Sequence, residues 1–479
     1  MSTAGWLPTA DRFADWSGVR SVVAGLGASG FAAADALLRV GARVEVVEAA
    51  VPPVDSEMAR RQDVLETLGA IVRTGVGDDF RAQGDLLVPS PGIAPRHRWI
   101  TRAQTPTVWS GEQLAWQLRA PGVPWLTVTG TNGKTTTVQL VDAMLRQAGH
   151  RSMAAGNIGV PLAEAVFAEP APDVMVVELS SFQLHFTRSV SAHTSALLNI
   201  ARDHIDWHGS FEEYVADKAT VYTGTERFVV YNHDDPVVER IAEDAEVVEG
   251  CRAVGFTVGI PGRSMVGVVD GVLVDRAFVA ERATSAVELV SAAALPSDAP
   301  YFVSDVLAAA AVARGYGAPV EAIRRAAVDF GLGDHRGETV ATLDGVRYVD
   351  NSKATNVHAA DVALGAEDHV VWIAGGLAKG GEFDGLFERH AHRLRALVLI
   401  GVDQRPLAEA AQRHAPDVPV ITVPSGETDP MEEAVSASAA AARPGDVVLL
   451  APACASMDQF ADYRARGRAF ARAVTRRRR

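Results

Sequence analysis

Cysteine is nearly absent from this chain: Cys251 and Cys454 are the only two in 479 residues. Two thiols are too few for a disulfide framework or a Cys-based zinc site, and they point to a reducing compartment. The N-terminus has no basic and apolar leader, and nowhere is there an apolar run of about twenty residues. A cytoplasmic location without a membrane partner is therefore expected. Positive charge is also in deficit. Forty-five Lys and Arg against fifty-nine Asp and Glu leave a net charge of −14, which disfavours nucleic acid as a partner. The basic tail Arg476–Arg479 reads as solvated rather than as a binding arm. No internal repeat or long low-complexity segment is present. The length suits about three domains, and a monomer is expected.

Strand-like apolar runs alternate with helical patterns throughout, which argues α/β architecture with mostly parallel sheets. Three blocks emerge: a Rossmann-like 1–112, a central P-loop-type α/β block 113–331, and a second Rossmann-like α/β block 332–479. The first opens with Ser21-Val-Val-Ala-Gly-Leu-Gly-Ala-Ser-Gly30 and reaches a second strand at Arg43–Glu48. By pattern this is a dinucleotide fingerprint, and Glu48, eighteen positions after Gly30, stands where a ribose-binding carboxylate is expected. Equally, the glycines can serve only close strand–helix packing. The stretch Val247–Val290 reads as short antiparallel strands. In the third block Val370–Ile373, Ala396–Ile400 and Asp446–Leu450 read as strands of a doubly wound sheet.

The central block carries the strongest chemical signal. Trp125-Leu-Thr-Val-Thr-Gly-Thr-Asn-Gly-Lys-Thr-Thr-Thr137 is an apolar strand running into a Gly-rich turn that opens a helix. Backbone N–H groups around Gly130 and Gly133 are expected to converge on phosphate oxygens, Lys134 to reach the terminal phosphates, and Thr135 or Thr136 to hold Mg²⁺. The spacing departs from the common motif, since two residues separate these glycines instead of four. Val138, Val141, Met144, Leu145 and Ala148 share one helix face before Gly149 ends it.

A nucleoside triphosphate needs a divalent metal, and Mg²⁺ prefers oxygen ligands. Glu178, near the end of the apolar strand beginning at Asp173, is the best placed carboxylate, although a solvated sheet edge would also explain it. His204 follows the strand Ala196–Ile200, with Asp203, Asp206 and His208 as local alternatives. Lys218 follows Tyr214 by four positions and precedes Val221 by three, which puts it on an apolar helix face; snorkelling to water is the default reading there.

Taken together, these residues resemble the Mur ligase family over nearly the whole chain. The anchors are Gly-Thr-Asn-Gly-Lys-Thr-Thr (130–136), Gly-Asn-Ile-Gly (156–159), Glu-Leu-Ser-Ser-Phe-Gln-Leu (178–184), Asp-His-Ile-Asp (203–206), His-Arg-Gly-Glu (335–338), Ser-Lys-Ala-Thr-Asn (352–356) and Pro-Ala-Cys-Ala-Ser-Met-Asp-Gln-Phe (452–460). The family shares the shortened phosphate loop. The resemblance implies ATP-dependent joining of D-glutamate to UDP-N-acetylmuramoyl-L-alanine through an acyl phosphate, for peptidoglycan. It replaces the NAD reading of the first block with UDP binding by Ala28, Ser29, Ser90, Pro91 and Gly92. ATP falls to Gly130, Thr131, Asn132, Gly133, Lys134, Thr135, Thr136, Arg336 and Asn351. Thr135 and Glu178 would serve one Mg²⁺ and His204 a second, Lys218 would be carbamylated into an oxygen ligand, and Asn157 would contact the acyl substrate. Lys134, His204 and Lys218 are the expected catalytic groups. Thr355, Lys379, Ser456 and Tyr463 would bind D-glutamate.

Two departures stand out. Ala49-Ala50 replaces the family's Thr-Arg on the uridine side. In the ATP layer Tyr301-Phe-Val-Ser-Asp305 replaces His-Asn-x-x-Asn, while Asn351 replaces an acid, so Asp305 and Asn351 either compensate for one another or have drifted independently. The alternatives to D-glutamate ligation are another amide ligase of the superfamily, which includes folate extension, an NAD(P)-linked oxidoreductase, and a nucleotide-dependent binding protein.

Overall fold

The computed structural model describes residues 3–188, 190–424 and 429–477, so that Arg478 and Arg479 of the basic tail lie outside the described residues. Among the described residues, twenty strands form three sheets. The first contains β1 (Arg20–Ala24), β2 (Arg43–Val47), β3 (Ile71–Arg73), β4 (Leu86–Pro89) and β5 (Thr107–Val108), in the order β3-β2-β1-β4-β5 and parallel throughout.

The second sheet contains β6 (Trp125–Thr129), β7 (Ser152–Gly156), β8 (Val174–Glu178), β9 (Thr194–Leu197), β10 (Phe228–Asn232), β11 (Arg252–Phe256), β12 (Met265–Val269), β13 (Val272–Asp275) and β14 (Val287–Ser291). Its order is β14-β13-β12-β11-β10-β9-β6-β8-β7. Every residue of β6, β8 and β9 is buried, as expected of strands covered on both faces. The expected antiparallel insertion is confined to β12–β14. β11 pairs with β12 in parallel, across a connection that contains Gly259, Pro261 and Gly262.

The third sheet, ordered β15-β16-β20-β17-β18-β19, contains β15 (Glu338–Leu343), β16 (Val346–Asp350), β17 (Val370–Gly375), β18 (Leu394–Ile400), β19 (Val420–Thr422) and β20 (Val447–Leu450). Only β15 runs antiparallel to its neighbour. Period-two alternation divides its core: Val370, Trp372 and Ala374 pack with Phe387 on one face, while Val371 and Ile373 pack with Phe470 on the other.

The chain divides into two compact units. One runs to Ile200 and resumes over Trp207–Phe330; the other comprises Ala201–Asp206 and everything from Gly331 onward. Within the first, the two sheets share a continuous core that runs from Trp16 and Leu37 through Leu114 and Trp116 to Trp125 and Met175. No helix among the described residues is long and apolar enough to cross a membrane.

Candidate active site

Strand β6 delivers the chain into Gly130–Gly133, and the helix Lys134–Gln147 begins with Gly133 as its N-cap, at φ +82° and without a side-chain cap. Its first amides therefore face outward at the positive end of the helix. A methyl group at Gly133 would strike the Asp305 carboxylate, so both backbone strain and close approach require glycine there. The cradle is narrower than the sequence suggests. Thr131 N–H donates to Asn199 O at 2.9 Å and Asn132 N–H to Asn199 Oδ1 at 2.8 Å, which commits both amides to bracing the loop. Lys134 Nζ lies 2.9 Å from the carbonyls of Gly130 and Thr131.

Glu178 closes β8 in register with Val128 of β6, beside this loop. It is only 1% exposed, so the solvated-edge reading fails. Its Oε1 accepts from Asn157 Nδ2 at 2.8 Å, while Oε2 is buried with no hydrogen-bond partner among the described residues. A buried carboxylate oxygen is costly without a partner. Together with the Thr135 and Thr136 hydroxyls at the helix start, this hard oxygen set fits Mg²⁺.

Lys218 corrects another expectation, because its amine does not reach water. The helix Phe211–Ala219 buries it to 2% exposure, and Nζ donates to Gly130 O at 2.8 Å, with Thr129 Oγ1 at 3.4 Å. The loop carbonyl satisfies the head group, which removes the reason to snorkel. One turn earlier Tyr214 Oη lies 2.7 Å from Thr131 Oγ1, so the same helix face supports the loop twice. Asp217, between them in sequence, turns elsewhere. His185 Nδ1 and His208 Nδ1 approach it at 2.9 and 2.7 Å. Burial raises the Asp217 carboxyl, but hydrogen bonds from His185 and His208 outweigh it and leave the group below its ordinary value.

In the first sheet, Ala28 and Ser29 begin the helix Ala28–Arg39, and Ser90–Pro91–Gly92 follow β4. The Ser90 side chain lies where a methyl group on Gly25 or Gly30 would have to go, which brings these residues together at the carboxyl edge. Glu48 is a correction: its oxygens accept from Leu26 N–H at 2.8 Å and Ala50 N–H at 3.1 Å. The carboxylate holds the Gly-rich turn instead of presenting itself to a ribose, and the glycines serve packing.

The second unit places Thr355, Asn356, Lys379, Gly380, Ala453 and Asp203 around one pocket. Asn356 Nδ2 donates to Asp203 Oδ2 at 3.1 Å, and His204, at φ +56°, sets Nε2 3.6 Å from the same carboxylate. Lys379 also takes a left-handed backbone, at φ +48°. Ser456 is buried and Tyr463 starts the helix Tyr463–Arg477; neither lines this pocket. Asn351 N–H continues the sheet to Leu450 O, while the adjacent Asp350 binds His335 Nδ1 at 2.7 Å, immediately before Arg336. Arg466 is 1% exposed and ties Ser352 O (2.9 Å) to Cys454 O (3.1 Å), joining two of the motif loops. Burial pushes its guanidinium down to about 10 and the Cys454 thiol up to about 12.

Asn199 and Tyr214 brace the phosphate loop, and motif reading assigned neither of them a role; Asp203 was read only as a local alternative to His204, and Asp305 only as a departure in the ATP layer.

Comparison with known proteins agrees with this architecture. Residues 128–266 match the Mur ligase middle domain and residues 335–454 the Mur ligase, glutamate ligase domain. The chain belongs to the Mur ligase family. The UDP-N-acetylmuramoylalanine–D-glutamate ligase of Streptomyces avermitilis is 50% identical over 464 residues, covering 96% of this chain and 98% of that protein. The enzyme of the same name from Mycobacterium avium is 43% identical over 490 residues, covering 95% and 96%. Among solved structures, UDP-N-acetylmuramate-alanine ligase from Thermotoga maritima aligns with TM-score 0.55 at 16% identity, covering 95% of this chain and 99% of that one. FolC of E. coli in complex with DHPP and ADP aligns with TM-score 0.53 at 17% identity, covering 76% and 92%. These two likenesses bear on the fold alone.

Proposed function

We propose that this chain joins D-glutamate to UDP-N-acetylmuramoyl-L-alanine through an acyl phosphate, with cleavage of ATP to ADP and phosphate, in peptidoglycan precursor synthesis. The observation that carries the reading is the buried, unpartnered oxygen of Glu178 beside a phosphate loop that Lys218 also touches. Residues 1–112 take the sugar nucleotide, 113–331 the ATP and 332–479 the amino acid.

The amides opening the helix Lys134–Gln147, with Lys134, hold the β- and γ-phosphates in line with the acceptor carboxylate, which Asn157 orients. Phosphoryl transfer needs this positioning and charge neutralisation more than covalent help. Thr135 and Glu178 would hold one Mg²⁺ and His204 would serve a second, with Lys218 as a further oxygen ligand, and the metal would supply charge neutralisation at the transferring group. Lys218 takes its part as a carbamate: its neutral amine adds to CO₂ and loses a proton, becoming an anionic oxygen donor. Thr355 and Lys379, with Ser456 and Tyr463, hold the two carboxylates of D-glutamate so that its amine attacks the acyl phosphate and expels phosphate. Arg336 and Asn351 serve ATP.

Phosphate release measured across a panel of amino acids with the sugar nucleotide tests the assignment. Release requiring both D-glutamate and UDP-N-acetylmuramoyl-L-alanine is expected; release with a diamino acid or a folate instead would overturn it.

A further inference from the structure

Asp217 has no role in the chemistry above, yet two histidines hold its carboxylate. Its Oδ2 accepts from His208 Nδ1 at 2.7 Å, and His185 Nδ1 sits 2.9 Å from both carboxylate oxygens. A carboxylate only accepts, so each histidine must present Nδ1–H to it. In a neutral ring that choice leaves His208 Nε2 as the acceptor for Ser181 Oγ, which lies 2.9 Å away. The His208 side chain is fully buried and Asp217 is 14% exposed, so water competes little for these bonds.

The network ties three elements together. His185 ends the helix Ser181–His185, whose N-terminus lies three residues beyond Glu178; His208 ends the turn Ile205–His208; Asp217 sits on Phe211–Ala219. Successive helical residues point about 100° apart. Asp217 therefore fixes the helix toward the histidines while Lys218, the next residue, and Tyr214 fix it toward the phosphate loop. Clamped in two directions, the helix has no freedom to rotate and withdraw the Lys218 head group.

We propose that Asp217, held by His185 and His208, is a positioning residue that sets where Lys218 presents its oxygen donor to Mg²⁺. This rests on the reading of Lys218 as a carbamate. Groups that orient a metal ligand typically change metal affinity or activity by about 10–100-fold when removed.

Two measurements on the full-length enzyme test the proposal: the carbamate signal in ¹³C NMR after addition of ¹³C-bicarbonate, and Mg²⁺ affinity by calorimetry with a non-hydrolysable ATP analogue bound. Wild type should give a carbamate signal that Lys218→Ala abolishes; no such signal in wild type overturns the carbamate and the proposal with it. Given the signal, Asp217→Asn should weaken Mg²⁺ binding about tenfold or more and reduce the carbamate in a variant that circular dichroism shows to be folded at the assay temperature. Wild-type values for both would overturn the role of Asp217 and leave Lys218 as read. Should Asp217→Asn fail to fold, a pair at His208 decides. His208→Asn keeps an amide N–H near the Nδ1 position and should retain Mg²⁺ affinity, whereas His208→Gln removes it and should lose affinity. Equal losses in the pair would mean that the imidazole only fills space, and would overturn the proposal.

Discussion

At the scale of single residues, the loop couples an attraction with a repulsion. Lys134 brings a cation to the phosphates, and Lys134→Ala should abolish phosphate release while leaving sugar-nucleotide binding intact, as a turnover assay and calorimetry would show. Asp305 does the opposite. Its carboxylate abuts Gly133 at the positive end of the phosphate-binding helix, a place that stabilises the helix but opposes a polyanion. Asp305→Asn should therefore tighten ATP binding about two- to fivefold, from the about 0.3–1 kcal/mol of such a charge, and lower the melting temperature slightly. Weaker ATP binding would show that the carboxylate is itself a ligand-side contact. The double cycle with Asn351→Asp tests compensation: coupling above about 0.5 kcal/mol in ATP Kd indicates interaction, and additivity indicates drift.

At the scale of elements, the helix Gly111–Leu118 is pinned to Ser181–His185 by a buried acid. Glu112 Oε1 accepts from Gln183 Nε2 at 2.6 Å, its Oε2 has no hydrogen-bond partner among the described residues, and burial raises the carboxyl to about 7. Between pH 4.5, its ordinary value, and about 7 the folded chain holds a proton that the unfolded chain has lost. Stability linked to Glu112 is thus present at the acid end of that window and is lost as pH rises through about 7, by up to about 3 kcal/mol. Glu112→Gln keeps the acceptor and removes the titration. Melting temperatures from pH 5 to 8 should fall less steeply for Glu112→Gln than for wild type; parallel curves would place the slope elsewhere. The strand leading to this pair was legible in sequence as the apolar run beginning at Asp173, whereas the Ser180–Gln183 capping box emerged only in the structure. The acid's partner, 71 positions away, was not legible either.

At the scale of the whole molecule, the two substrates to be joined belong to different units by the proposed assignment, so their binding energies should separate. Lys379→Ala should raise the D-glutamate KM about tenfold or more, the loss expected for a charge-assisted hydrogen bond of about 1.5–3 kcal/mol, and leave ATP KM within about twofold. Equal changes in both would make Lys379 structural. How much of this was readable before folding follows from what each signal depends on. The α/β class, the phosphate loop and the Mur ligase resemblance are local: they need only short-range periodicity, glycine conformation and side-chain order along the chain, and so the sequence by itself determined them. The fate of individual polar groups is not local. Glu48 matches a ribose-binding position by spacing, yet Leu26 and Ala50 amides consume it. Lys218 looks like a snorkelling lysine by periodicity, yet a carbonyl 88 residues away holds its amine inside. Asn199 has no motif and Asp305 shows in sequence only as a departure from an expected Asn; they reach the loop because β9 neighbours β6 and the helix Pro300–Tyr316 packs over it. Which donor meets which acceptor, and which oxygen is left for a metal, depends on contacts distant in sequence, and only the tertiary structure decided that.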